Sequence, residues 1–284
     1  MLASLVAISI AATPAPIAEH QAACAGKDGW SDPAPPVRVI GNTYNVGTCG
    51  IVALLIAGDK GHVLIDGATE KAAPSIARNI ERLGFRLGDV RLILASHEHY
   101  DHVGGLAELQ RLTGATVRLS PVATRVMTVG RVDAADPQAT SIEQSPVLNA
   151  GPALGEGETV RVGPLALTAH FTPGHAPGGT SWTWRSCEDK RCLSIAYADG
   201  VGAVAPATYR FLDHPDRIEA LRTSFATVAT LPCDVLISPH PAFSELYERL
   251  AGARPLADPK ACARYAAVLA ENLGRRLERE RAAK

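Results

Sequence analysis

The stretch Ser96-His97-Glu98-His99-Tyr100-Asp101-His102 limits what this chain can be more than any other. It follows the apolar run Val90–Ala95 and precedes Gly104-Gly105. The run reads as a buried strand, so the cluster reads as a loop at a strand end, where a rigid scaffold presents functional groups. His97 and His99 are two apart, and in an extended segment both imidazoles point to one side. Asp101 and His102 follow as the chain turns and can aim at a neighbouring point. Imidazole nitrogen and carboxylate oxygen are ligands that zinc takes. Four such groups are more than one tetrahedral catalytic zinc can use while keeping a position open for water. The economical arrangement is two metals sharing a bridging hydroxide, about 3.5–4 Å apart.

Two metals need further ligands, so the remaining histidines matter. The chain has nine: His20, His62, His97, His99, His102, His170, His175, His214 and His240. His175 sits in the Gly/Pro turn Thr172-Pro173-Gly174-His175-Ala176-Pro177-Gly178-Gly179, and His240 in Ser238-Pro239-His240-Pro241. Both turns directly follow a predicted strand. A lone histidine in such a turn is usually structural, and the cluster at 97–102 reverses that expectation. His62 and His170 lie in or beside strands and read as packing residues. His20 and His214 read as exposed loop residues.

Further apolar runs predict strands at Ile51–Ala57, His62–Asp66, Thr116–Leu119, Leu165–Phe171, Thr180–Trp184, Leu193–Ala198 and Val235–Ser238. Helical spacing lies between them. Ile76, Ile80 and Leu83 end at Gly84, and Leu106, Leu109 and Leu112 end before Gly114. Ile218, Leu221, Phe225 and Val228 form another stripe, and a last helix is predicted over Lys260–Arg281. This order predicts an α/β protein of two similar halves folding as one unit, entered at the Pro-rich boundary Asp32–Pro36. With 46% apolar and 20% charged residues, the chain has the balance of a globular protein and not of a disordered one. A net charge of −1 argues against a nucleic-acid partner. The basic run Arg275–Arg281 alternates with Glu and reads as a solvated helix face.

The segment Met1–Ala12 is apolar but shorter than the roughly 20 residues that span a bilayer. It has the length of a signal-peptide apolar core with small residues behind it, although no Lys or Arg precedes Lys27. We expect a signal peptide over residues 1–18, one domain over 19–284, a periplasmic or secreted location, and no membrane attachment after processing. Six cysteines fit three disulfides in an oxidising compartment, with the pairing left open. Cys187 and Cys192 bracket a polar tetrapeptide, so closing a small hairpin is the economical choice. Cys24 with Cys49 and Cys233 with Cys262 are then the pairs nearest in sequence. None of the six has zinc spacing.

The H-x-H-x-D-H run, the later Pro-Gly-His and the late His after a strand together resemble the metallo-β-lactamase superfamily. Asn45-Val46-Gly47-Thr48-Cys49-Gly50, Leu64-Ile65-Asp66-Gly67, Thr172 through Trp184 and Pro232-Cys233-Asp234-Val235 resemble the third subclass of class B β-lactamases, over roughly residues 37–265. The resemblance implies a four-layer αβ/βα sandwich with the site in a cleft at one edge of two sheets. It implies that His97, His99 and His175 bind one Zn2+, and that Asp101, His102 and His240 bind a second. It further implies that Asp66 orients a ligand imidazole from behind. Cys233 and Cys262 look like the recurrent disulfide of that subclass, while the other two bridges occur in some members only.

The activity implied is hydrolysis of a β-lactam antibiotic (penicillins, cephalosporins, carbapenems) by a monomeric enzyme. A metal-bound hydroxide held in line by Asp101 would be the nucleophile. The sequence departs from the subclass at Gly200 and Gly202, where serines usually help hold the substrate carboxylate. Backbone groups would then serve, or Thr208, Tyr209 or Arg210 would reach in. A different hydrolase of the superfamily, acting on a thioester or lactone, is the alternative; in such relatives an Asp near the position of Asp199 bridges the metals. A secreted zinc-binding protein without catalysis is a third reading.

Overall fold

The computed structural model describes residues 16–188, 191–200 and 202–283. Two sheets carry the chain. The first holds six strands in chain order: β1 (Val37–Ile40), β2 (Thr43–Asn45), β3 (Leu54–Ile56), β4 (His62–Ile65), β5 (Val90–Leu94) and β6 (Thr116–Val117). The second holds β7 (Thr159–Val162), β8 (Leu165–Phe171), β9 (Thr180–Glu188), β10 (Arg191–Tyr197) and β11 (Val235–Ile237), ordered β11-β10-β9-β8-β7. Antiparallel pairing joins β1 through β4 and β7 through β10. The parallel pairs are β4–β5, β5–β6 and β10–β11. A parallel pair needs a crossover, and each has a helix: Ala73–Arg82, Leu106–Thr113 and Pro215–Ala229 in turn.

Strand β4 shows why the sheets must be covered on both faces. All four of its residues are buried, so it has no solvent side. Alternation sends Val63 and Ile65 into the space between the sheets and Leu64 toward the outer helices. Three apolar layers result. Between the sheets, Leu54, Ile56, Val63 and Ile65 meet Leu167, Trp182, Ile195 and Tyr197. Outside the first sheet, Ile76, Ile80, Leu106 and Leu109 pack on Leu55, Leu64 and Ile93. Outside the second, Leu221, Phe225, Val228 and Leu273 pack on Ala196 and Leu236. The architecture is the four-layer αβ/βα sandwich expected.

The helical stripes fall where their spacing placed them, and Gly84 and Gly114 end two of them with φ of +84° and +71°. The last helix is Ala261–Ala282. The expected strand over Ile51–Ala57 is reduced to Leu54–Ile56. Ile51 and Ala53 instead give their carbonyls to Thr48 and Val46, closing a tight loop on themselves. Strands β1, β2 and β7 were not anticipated; they are short and mix buried with partly or fully exposed positions. The helix Pro121–Val129 was also not anticipated, although Ser120 caps it by accepting from the Ala123 N–H. His20 is a correction. It lies in the helix Ile17–Cys24 and is buried, its Nδ1 2.7 Å from the Pro35 carbonyl and its ring 4.3 Å from Tyr247.

The disulfides are Cys24–Cys49, Cys187–Cys192 and Cys233–Cys262, the three sequence-nearest pairs. The expected signal core Met1–Ala12 lies outside the described residues. Among the described residues no helix is long and apolar enough to cross a membrane.

Trp182 is fully buried between the sheets and donates from Nε1 to the Ala95 carbonyl at 2.9 Å. Trp182→Ala is expected to cost about 3–5 kcal/mol. Denaturant unfolding checks this, and a loss below about 1 kcal/mol would contradict the inter-sheet core described here.

Candidate metal centre

The six predicted ligands arrive from three strand ends. His97, His99, Asp101 and His102 follow β5, His175 lies in the turn between β8 and β9, and His240 follows β11. A single helical turn, Tyr100–Val103, begins directly after His99 and swings Asp101 and His102 inward. Its tight seat needs glycine: a Cβ on Gly105 would lie 2.2 Å from the Gly67 carbonyl oxygen at the end of β4.

All six side chains converge. The donor atoms of His97, His99 and His175 lie within 4.8 Å of one another, and so do those of His97, Asp101 and His102. His240 Nε2 is 3.3 Å from His102 Nε2 and 3.4 Å from Asp101 Oδ2. His97 belongs to both groups, and its ring centroid is 4.2 Å from that of His102.

Each ring is held from behind. His97 donates from Nδ1 to Asp199 Oδ1 at 2.8 Å, and His99 from Nε2 to Asp136 Oδ2 at 2.8 Å. His175 Nδ1 donates to the Gly202 carbonyl at 3.0 Å, and His102 Nδ1 lies 3.2 Å from Asp66 Oδ2. Outer acceptors of this kind fix the tautomer and aim the other nitrogen at the centre. The inward atoms are then Nε2 of His97, His102 and His175, and Nδ1 of His99. His97 Nε2 is buried and has no hydrogen-bond partner among the described residues. A buried nitrogen lone pair without a donor is costly, and a cation satisfies it. The donor set therefore fits a metal.

Asp66 does more than face His102. Its Oδ1 accepts from the Ser96 N–H at 2.7 Å, and its Oδ2 accepts from Ser96 Oγ and Tyr197 Oη, each at 2.7 Å. One buried carboxylate thus joins β4, the 97–102 loop and β10. Its φ of +65° is a conformation that Asp tolerates better than most residues.

Burial and the neighbouring imidazoles hold His97 well below its ordinary pKa. Burial, then His99, lowers His175 to about 3; burial, then His102, lowers His240 to about 4. Metal ligation needs these neutral rings. His102 goes the other way: burial opposes its charge, but Asp101 and Asp66 outweigh that and raise it to about 10. Asp101 itself is held below the usual carboxylate range by its imidazoles, against the effect of burial.

Three carboxylates do something the sequence did not reveal. Asp136, in a segment without helix or strand, carries no motif at all. Asp199 stands outside His97, its Oδ1 taken by that ring and by the Gly200 N–H, while Oδ2 faces Gly179, where a Cβ would sit 2.6 Å away. Glu98 accepts from the Gly178 N–H with both oxygens, at 2.9 and 3.1 Å, tying the 97–102 loop to the His175 turn; burial raises it to about 7.

His99, Asp101, His175 and His240 open into a cleft of about 930 Å³ that Trp30, Phe243, Gly200 and Gly202 also line. Trp30 and Phe243, both more than half exposed, lie beside His240 with ring centroids 6.3 and 5.6 Å away. A Cβ on Gly200 would meet nothing within 4 Å, and one on Gly202 only Val204. The open floor is not filled by the residues proposed to reach in. Tyr209 stacks on His214, Arg210 pairs with Asp213, and neither they nor Thr208 line this cleft.

The fold and this convergence of side chains define the chain as a member of the metallo-beta-lactamase superfamily, whose family description matches residues 46–191. It is similar to the metallo-beta-lactamase MIM-1 from Novosphingobium pentaromativorans, at 46% identity and a TM-score of 0.91 over 93% of this chain and 98% of that one. It is likewise similar to MEM-A1, a subclass B3 metallo-beta-lactamase isolated from a soil metagenome library, at 43% identity and 0.86 over 90% and 100%. A curated relative, the hydroxyacylglutathione hydrolase of Bradyrhizobium sp. (strain ORS 278), is 28% identical over 156 residues, 52% of each chain. The chain spans about half the length of the curated relatives it matches.

Asp66→Ala would strip acceptors from Ser96, Tyr197 and His102 at once. We expect a loss of about 3–5 kcal/mol in unfolding free energy. A variant within about 1 kcal/mol of the parent would show that this carboxylate is not the hub described.

Proposed function

We propose that the protein is a secreted dizinc β-lactamase that hydrolyses the amide bond of β-lactam antibiotics. His97, His99 and His175 would hold one zinc ion and Asp101, His102 and His240 the other. The observation that carries this is the convergence of five imidazoles and Asp101 beside an open cleft: the donor atoms of His97, His99 and His175, and of His97, Asp101 and His102, lie within 4.8 Å of one another, and His240 Nε2 is 3.4 Å from Asp101 Oδ2. Zinc bound there would supply Lewis acidity toward the lactam carbonyl and a water nucleophile at neutral pH.

The chain's own residues do the rest. Asp101 Oδ2, between His102 and His240, is placed to orient the attacking water and to hold its proton. Asp199, Asp136, Asp66 and the Gly202 carbonyl orient the imidazoles and turn their other ring nitrogens inward. Trp30 and Phe243 supply apolar walls for the substituents of the substrate. Gly200 and Gly202 leave the substrate carboxylate to backbone groups. Export, with a signal peptide over 1–18 and a working domain over 19–284, is supported by the three disulfides. We place the mature protein in the periplasm or outside the cell, as a monomer.

The rival reading is a thioester hydrolase like the curated relatives. Its support is limited to about half their length, and Asp199 is engaged behind His97.

The test is direct. Purified protein is expected to hydrolyse nitrocefin, to lose that activity on thorough chelation and to regain it with zinc. Cleavage of a glutathione thioester with no lactam turnover would favour the rival, and turnover in metal-stripped protein would refute the zinc mechanism. Asp101→Ala is expected to lower kcat by about 10²–10⁴-fold with a far smaller change in KM. An unchanged kcat would remove Asp101 from the chemistry.

A further inference from the structure

Asp136 faces the centre from residues 131–149, a stretch with neither helix nor strand. We propose that Asp136 is a positioning residue that couples the placement of this stretch, a wall of the cleft, to metal occupancy at His99. The inference rests on the metal reading given above.

The stretch is secured near its ends. Asp133 pairs with Arg125, Leu148 is buried in the outer core with its N–H on the Met127 carbonyl, and Asn149 bonds with Gln110. Between these anchors its hydrogen bonds are local, such as Ala139 to Asp136 and Ile142 to Gln138. Among the described residues, Asp136 to His99 is the one hydrogen bond that residues 134–147 make outside the stretch. Yet Gln138, Ser141, Ile142 and Glu143 from this part line a second lobe of the cleft, of about 540 Å³, together with His99 and Asp101.

The carboxylate is built for both tasks. It is buried, with Oδ1 accepting from the Gln138 N–H at 2.7 Å and Oδ2 accepting from His99 Nε2 at 2.8 Å. That second bond keeps the His99 proton on Nε2 and frees Nδ1 as a ligand. A cation on Nδ1 draws electron density from the ring and makes Nε2–H a stronger donor to Asp136. Occupancy therefore tightens the tether, and by linkage the tether tightens metal binding equally.

The experiment uses the full chain as parent, Asp136→Ala and Asp136→Asn. Zinc affinity is read by competition with a chromophoric chelator, and amide hydrogen exchange is followed over 134–147 with and without zinc. In the parent, zinc is expected to slow exchange there. In Asp136→Ala, one zinc should bind about 10–100-fold more weakly and the zinc-dependent protection should vanish. Asp136→Asn keeps an oxygen that can accept from Nε2–H, so it should restore part of both effects, and it remains readable where the alanine variant does not fold. Parent-like affinity in both variants, or the same zinc-dependent protection in both, overturns the coupling while leaving the metal reading intact. A parent that binds no zinc overturns the metal reading and this inference with it.

Discussion

Five imidazoles whose ring centroids are linked by spacings of 4.2 to 5.0 Å cannot all be charged in a buried pocket. Mutual repulsion and lost hydration press His97, His175 and His240 to the neutral form, while Asp101 and Asp66 favour the charge on His102. Neutral rings expose lone pairs, and lone pairs facing one another are tolerable only with a proton or a cation between them. The rest of the site answers this constraint. Acceptors behind four of the rings remove the ambiguity about which nitrogen is bare, and Asp101 supplies negative charge where His102 and His240 meet.

The sandwich is arranged so that these groups need no long loops to reach one another. Strands β4, β5, β10 and β11 end on the same rim, and the β8–β9 turn reaches it too. Asp66, the 97–102 loop, Asp199 and His240 are therefore each within a few residues of a strand end that is buried on both faces. The positional precision of a packed core is passed directly to the proposed ligands. The cleft walls differ in this respect: Trp30 and residues 131–149 come from irregular chain.

Much of this was legible in the residues themselves. The H-x-H-x-D-H run has a spacing that suits cation binding, and the turns bearing His175 and His240 follow runs that read plainly as strands. Helices with a one-sided apolar stripe were equally visible, because the 3.6-residue period survives any tertiary context. Strands β1, β2 and β7 were not, since three or four residues with mixed burial carry too little alternation to register. Asp136 and Glu98 were invisible for a different reason. Their partners, His99 Nε2 and the Gly178 N–H, are 37 and 80 positions away, and no local pattern reports a contact that the fold alone creates. His20 misled because a polar residue near a chain end reads as solvated until a carbonyl and an aromatic ring close over it.

The Cys24–Cys49 bridge encloses Trp30, and so staples one jaw of the cleft to the body of the protein. None of the proposed metal ligands lies in the stretch it encloses. The same stretch is also held by the Cys49 N–H on the Asp32 carbonyl and by Ser31 Oγ against Thr69 Oγ1, so the covalent link adds to a seam that polar contacts already close.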